Sequence, residues 1–368
     1  MLGLTCSRRW ISIATIALST TSIGACKEDP APVVESEEST GEPPPPIDFQ
    51  PSNIELEPMY EVGDVTLDLD CTIGDGGRGT LCKADPSSYV FFDHTQSDGS
   101  VVGVYVMENL VITENTLVDI EEDTAIVLVA QSTIVNEGRL YMRPGENGGF
   151  AGSSGDIVGL GPGAATGIDG PVTGGGGGGY CGRGGSHGDG EGAGPSYGDA
   201  SIVPLVGGSS GGERNSGGGG GALQLVAGVS ITIGKTITLP GAGGEDGGGG
   251  SGGALLLEAP IVNISGRVST NGGGGASGDK SDGVEGRDRA DAAAGGQGNG
   301  NTPGGEGSAG SLVTGADGTA TVMTAQEFGS GGGGAGWIRI NTESGVAEIT
   351  GSVSPGLDTD CATQGVLG

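Results

Sequence analysis

Five times along this chain, three short segments rich in Val, Ile, Leu and Thr follow one another, and that recurrence restricts the fold more than any other feature. The first two sets are Gly103–Met107, Leu110–Thr113 and Thr116–Ile120, then Ala125–Ala130, Ser132–Val135 and Arg139–Met142. The later three occupy Gly221–Leu239, Gly253–Ser269, and Gly336–Ile340 with Ala347–Val353, each after a glycine run. Aligned on their first segments, four sets read Ala125-Ile126-Val127-Leu128, Ala222-Leu223-Gln224-Leu225, Ala254-Leu255-Leu256-Leu257 and Trp337-Ile338-Arg339-Ile340. The second and fourth positions stay aliphatic while the third accepts Gln or Arg, which is the period-two alternation of a strand with a fixed inward face.

One set alone buries too little to offset its own ordering, so the sets must stack. Stacked three-strand turns predict an all-β chain, a right-handed parallel β-helix of about five three-strand rungs, roughly 24 Å tall at about 4.8 Å per rung. The alternative, an antiparallel sandwich of hairpins, would call for two-residue Asn-Gly turns between the segments of a set, where none stands. With aromatics at 4%, the core has to be aliphatic.

The 84 glycines are concentrated in insertions at about 144–220, 241–252 and 270–335, each following the third segment of a rung. Equal exit points place all three at one corner. Glycine loses the most backbone freedom on ordering, so mobile, hydrated loops are the first expectation. The second is side-by-side packing of runs such as Gly174–Gly179, Gly217–Gly221 and Gly331–Gly334 as extended polyproline-type segments. The apolar island Tyr197–Gly208 predicts that part of the first insertion docks on the body.

Residues 1–25 read as a lipoprotein signal peptide: Arg8 and Arg9, an apolar stretch from Trp10, and Ile23-Gly24-Ala25 before Cys26. Small residues at the cut and a thiol that takes a diacylglycerol account for the pattern, and acyl chains on Cys26 would anchor the chain to a membrane. Lys27 in place of Asp favours the outer membrane or cell surface. Residues 26–58, with Glu35–Glu42 and Pro43–Pro46, read as an acidic, Pro-rich disordered tether. Residues 59–102 are expected to form an N-terminal cap, 103–361 the β-helix, and 362–368 a C-terminal tail.

In an oxidising compartment the four cysteines left after acylation permit three pairings; Cys71–Cys82 and Cys181–Cys361 are favoured. His94 and His187 do not stand at metal-ligand spacing from a cysteine pair. Asp189, Glu191, Asp279 and Asp282 supply hard oxygen ligands on flexible backbone, so weak Ca²⁺ binding is the most they predict, with no defined metal site and no cofactor. A formal charge of -31, or -33 once the signal with its two Arg and no acid is removed, disfavours nucleic acid. The Gly-x-Gly-x-x-Gly matches lie in low-complexity sequence, and no Gly-x-x-x-x-Gly-Lys-Ser/Thr is present. Asp119, Glu121, Glu122 and Asp123 are expected to face solvent, and Glu258 and Arg339 to form a pair on an outer ladder.

Tyr197–Gly208, the repeated Gly-Ala-Leu-x-Leu with Ile-x-Gly, and Gly336-Trp337-Ile338-Arg339-Ile340-Asn341 resemble the glycine-rich lipoproteins and large secreted proteins of myxobacteria and related bacteria. The likeness covers about 60–361. It implies a cell-surface location and a repeat architecture, and no reaction. The expected function is that of an envelope-anchored surface lipoprotein with a structural or adhesive role and no catalytic residues, meeting surface polysaccharide or other envelope proteins. The alternative is a carbohydrate-binding or polysaccharide-cleaving protein of the same fold.

Overall fold

The computed structural model describes residues 47–57, 59–168, 174–298, 302–320 and 328–368. Cys26 and most of the expected tether lie outside them. No helix occurs among the described residues. Strands β1 (Val65–Leu67) and β2 (Cys71–Ile73) precede a hairpin of β3 (Tyr89–Thr95) and β4 (Val101–Met107). Then come β5 (Leu110–Ile112), β6 (Leu117–Ile120), β7 (Ala125–Ala130), β8 (Thr133–Asn136) and β9 (Arg139–Met142). After the first insertion follow β10 (Ala222–Ala227), β11 (Ser230–Ile233) and β12 (Thr236–Thr238), and after the second β13 (Ala254–Glu258), β14 (Ile261–Ile264) and β15 (Arg267–Ser269). Beyond the third lie β16 (Trp337–Thr342), β17 (Glu348–Ile349), β18 (Ser352–Ser354) and β19 (Ala362–Val366).

Successive strands visit three sheets in rotation. Sheet I is ordered β1-β5-β8-β11-β14-β17, sheet II β2-β6-β9-β12-β15-β18, and sheet III β3-β4-β7-β10-β13-β16-β19. Only β3 and β4 pair antiparallel; the other strand pairs are parallel, which sets aside the sandwich of hairpins.

Register follows the aliphatic repeat. In sheet III Ile126, Leu223, Leu255 and Ile338 stand over one another. In sheet II Val118, Leu140, Ile237, Val268 and Val353 do the same. These inward residues form one continuous core from Val65 to Ala362. A one-residue slip would send every one of them to the other face, so the column fixes its own register.

The stack is longer than expected at both ends. β1 and β2 of the expected cap already belong to sheets I and II, and β19, in the expected C-terminal tail, extends sheet III. The expected tether is too long, because 47–57 contribute Ile54, Ile47, Phe49 and Leu56 to a second apolar cluster. That cluster lies on the outer face of sheet III, with Val102, Val104, Val106, Val127, Val129 and Leu256. Sheet III is therefore covered on both faces, which is why β7 and β10 are buried at every position.

Candidate functional site

The described parts of the three insertions are not mobile loops; they pack as a bundle on backbone hydrogen bonds. Its axis is 248–253. Gly248 and Ser251 donate N–H to the carbonyls of Gly212 and Ser209, Gly249 and Gly252 to Gly331 and Gly334, and Gly250 and Gly253 to Ala242 and Leu239, all at 2.9–3.0 Å. Each direction is met every third residue, as a three-residue polyproline-type turn requires. Three further runs donate into the axis: Gly217 and Gly220 to Gly248 and Ser251, Gly273 to Gly250, and Gly178 to Gly249. Six neighbours around one segment leave little room for side chains, and within 248–253 only Ser251 carries one. A Cβ at Gly249 would overlap the Gly273 carbonyl, and one at Gly250 the Gly218 carbonyl.

Serine is the side chain that recurs inside the bundle, and it serves the backbone. The hydroxyl oxygens of Ser251, Ser209 and Ser330 accept N–H from Ser209 (2.9 Å), Gly163 (2.9 Å) and Gly175 (3.1 Å). Buried peptide groups thus find partners without water.

The bundle is fastened to the column as the apolar island predicts. Tyr180 and Tyr197 pack with centroids 4.5 Å apart. Their hydroxyls donate to the carbonyls of Val206 and Gly207, each at 2.5 Å, and Trp337 Nε1 donates to the Tyr197 carbonyl at 3.1 Å. Ile202 and Leu205 are buried in the cluster on sheet III. Disulfides join Cys71 to Cys82 and Cys181 to Cys361; the second ties the first insertion to the residue before β19.

The part of the outer face of sheet III around Val106, Val129 and Glu258 lies under a strap, residues 47–57 and 59–60. Glu258, expected on an exposed ladder beside Arg339, is only 1% exposed. Its carboxylate accepts from Ser52 N (3.0 Å), Ser52 Oγ (2.6 Å), Gln224 Nε2 (2.6 Å) and Asn341 Nδ2 (3.0 Å). Arg339 meets it through Asn341, donating Nε to Asn341 Oδ1 at 2.7 Å. The expected surface pair is therefore a covered relay, because the strap lies over those strands.

Of the acidic run expected in solvent, Asp123 is exposed but Glu122 is 6% exposed. It accepts from Tyr105 Oη at 2.7 Å and Gly79 N at 3.2 Å, with Arg78 Nη1 at 3.7 Å. Burial, then the adjoining carboxylate, raises the Tyr105 hydroxyl far above its ordinary pKa. Asp119 and Glu121 face Arg143 at 3.9 and 2.6 Å.

The cation candidates stay in two separate turns. Asp189 abuts the imidazole of buried His187 and accepts the Glu191 N–H at 3.1 Å, whereas Asp279 accepts from Ser277 Oγ and Asp282 is exposed. Among the described residues no group of three or more His, Cys, Asp or Glu side chains is placed to hold a metal. Two open hollows are comparable in size. One of about 350 Å³ is lined by Asp70, Asp75, Lys83 and Asp119 beside the Cys71–Cys82 disulfide. The other, about 360 Å³, lies at the corner of sheets I and II beside Lys235 and Arg267.

Sequence reasoning missed the strap and the Glu258 seat. The available signal was the change after the proline run, where Ile47, Phe49, Ile54 and Leu56 interrupt the acidic composition. No family model, curated protein or solved structure matches this chain.

Proposed function

We propose that the chain is a right-handed parallel β-helix displayed from the cell envelope as a surface lipoprotein, with a structural or adhesive role. The three-sheet rotation of parallel strands supports the fold, and the preference of parallel crossovers supplies the hand. The lipobox around Cys26 supports the anchor, and the likeness to myxobacterial glycine-rich proteins supports the surface location.

The observation that carries the role is the bundle. Three insertions leave one corner and converge on a backbone-bonded body around 248–253. The interior of that body is close-packed glycine backbone whose polar groups engage each other, and the face it offers for contact is a rim of exposed residues such as Asp156, Leu160, Glu245 and Asp282. The partners this suits are surface polysaccharide or other envelope proteins.

The test uses protein from residue 27 onward, coated on beads and presented to cells and to purified polysaccharides. Retention that disappears when the bundle is broken by Gly250→Ala is the expected result. New reducing or unsaturated ends, lost on substitution of a carboxylate, would replace this reading with the polysaccharide-cleaving one. In cells, Cys26→Ala is expected to abolish incorporation of labelled fatty acid and release the protein from membranes.

A further inference from the structure

The strap is held differently from every strand it covers. No backbone–backbone hydrogen bond joins 47–57 or 59–62 to sheet III among the described residues. Its fastenings are side chains: Ser52 on Glu258, Asn53 Nδ2 on Gln224 Oε1 (3.1 Å) and the Ile202 carbonyl (3.0 Å), and a reciprocal pair between Tyr60 and Gln131. In that pair Tyr60 N donates to Gln131 Oε1 at 2.8 Å and Gln131 Nε2 to the Tyr60 carbonyl at 3.0 Å. The packing beneath is incomplete, with a hollow of about 100 Å³ between Phe49, Leu56 and Tyr60 above and Val106 and Val129 below. Asn53 Oδ1 is buried with no hydrogen-bond partner among the described residues.

The seat is nevertheless specific. Among the described residues Glu258 is buried with no Lys or Arg in an ion pair with it, and two of the four donors it meets there come from the strap. A segment without Ser52 would leave the desolvated carboxylate without its hydroxyl donor, and one without Asn53 would leave Gln224 Oε1 and the Ile202 carbonyl without theirs, which is costly. The occupant whose chemistry fits is this same segment, and other copies of the chain carry it.

We propose that the strap exchanges: 47–60 of one copy seat on sheet III of a second copy, making the outer face of that sheet a homotypic interface. Exchange replaces like contacts with like, so it costs little beyond bringing two copies together. The strap ends at Tyr60 and Gly63 is held by Ser88 and Glu108, so the hinge is Glu61-Val62. At roughly 3.3 Å per residue Tyr60 reaches about 10 Å from Gly63, and exchange sets the two seats close together. The inference deepens the adhesive reading and rests on it only for placing copies side by side on a surface.

Two isotopically distinct preparations of the full chain, mixed and followed by native mass spectrometry, give the direct test. Mixed dimers are expected, and excess synthetic peptide of residues 47–60 is expected to dissolve them. The same peptide carrying a fluorophore should bind the full chain saturably. Its affinity should fall about tenfold or more when Glu258 becomes Ala, or when the peptide carries Ser52→Ala with Asn53→Ala. The peptide substitutions leave the body untouched, so they decide the matter even if Glu258→Ala misfolds. The proposal is overturned by an absence of mixed dimers, by no saturable binding up to about 1 mM, or by dimers that survive excess peptide. Exchange without any effect on bead retention would sink the adhesive reading alone.

Discussion

Away from sheet III, Glu122 and Glu213 are the acids that the described fold takes out of water, and their surroundings differ. Glu122 has the Tyr105 hydroxyl, a peptide N–H and a nearby guanidinium. Tyr105→Phe keeps the ring in the core but removes a donor from a buried carboxylate, so we expect a loss of about 1–3 kcal/mol in urea unfolding. Glu213 is 5% exposed, sits at φ 72°, and has Oε2 without a hydrogen-bond partner among the described residues. Desolvation is the first cause of its raised pKa, against weaker lowering by the backbone and Arg214. Because the folded value exceeds the unfolded one, its neutral form favours folding at low pH. That contribution is lost as pH rises from the ordinary glutamate value of 4.5 through the raised one. Glu213→Gln should therefore raise the melting temperature at neutral pH and leave it nearly unchanged near pH 4. Neither acid announces itself in the sequence: Glu122 stands in an acidic run and Glu213 beside glycines. The lone hint is Tyr105, an inward hydroxyl in an otherwise aliphatic strand that has to find an acceptor.

Among the elements, the strands are readable and the glycine runs only as a choice between mobile loops and side-by-side packing, for one physical reason. A strand records its environment in alternating side chains, so Leu223, Leu255 and Ile338 reveal both the inward face and the stacking. The continuous Ala125–Ala130 run even carries the two-sided burial of β7, although the strap that supplies the second cover escaped notice. Glycine records nothing, since mobile and tightly packed runs have the same composition. Order there comes from neighbours distant in the chain, as when Gly249 meets Gly331. Gly250→Ala places a methyl against the Gly218 carbonyl and is expected to cost about 3 kcal/mol, with hydrogen-exchange protection lost across the bundle and kept in the column. Gly155, where a Cβ meets nothing within 4 Å, is the control; its Ala variant should stay within about 0.5 kcal/mol of the parent.

At the scale of the whole molecule the two disulfides have unequal reach. Cys71 and Cys82 are 11 residues apart, Cys181 and Cys361 are 180 apart. Loop-closure entropy gives about 3 kcal/mol for the short bridge and about 5 kcal/mol for the long one. Replacing both members of Cys181–Cys361 with Ala should therefore lower stability more than the same change at Cys71–Cys82, in denaturant titrations of the two double variants.

The axis of the bundle comes from the shortest insertion, while the two longer ones wrap around it. As the chain is delivered N-terminus first, Gly249 and Gly252 have to wait for Gly331 and Gly334, which follow some eighty residues later. The column can wind up turn by turn behind the advancing chain, but its glycine flank closes only when nearly all of the protein has been delivered. A truncation between Ser269 and Gly331 would thus leave behind coils that are wound and a flank that never sets.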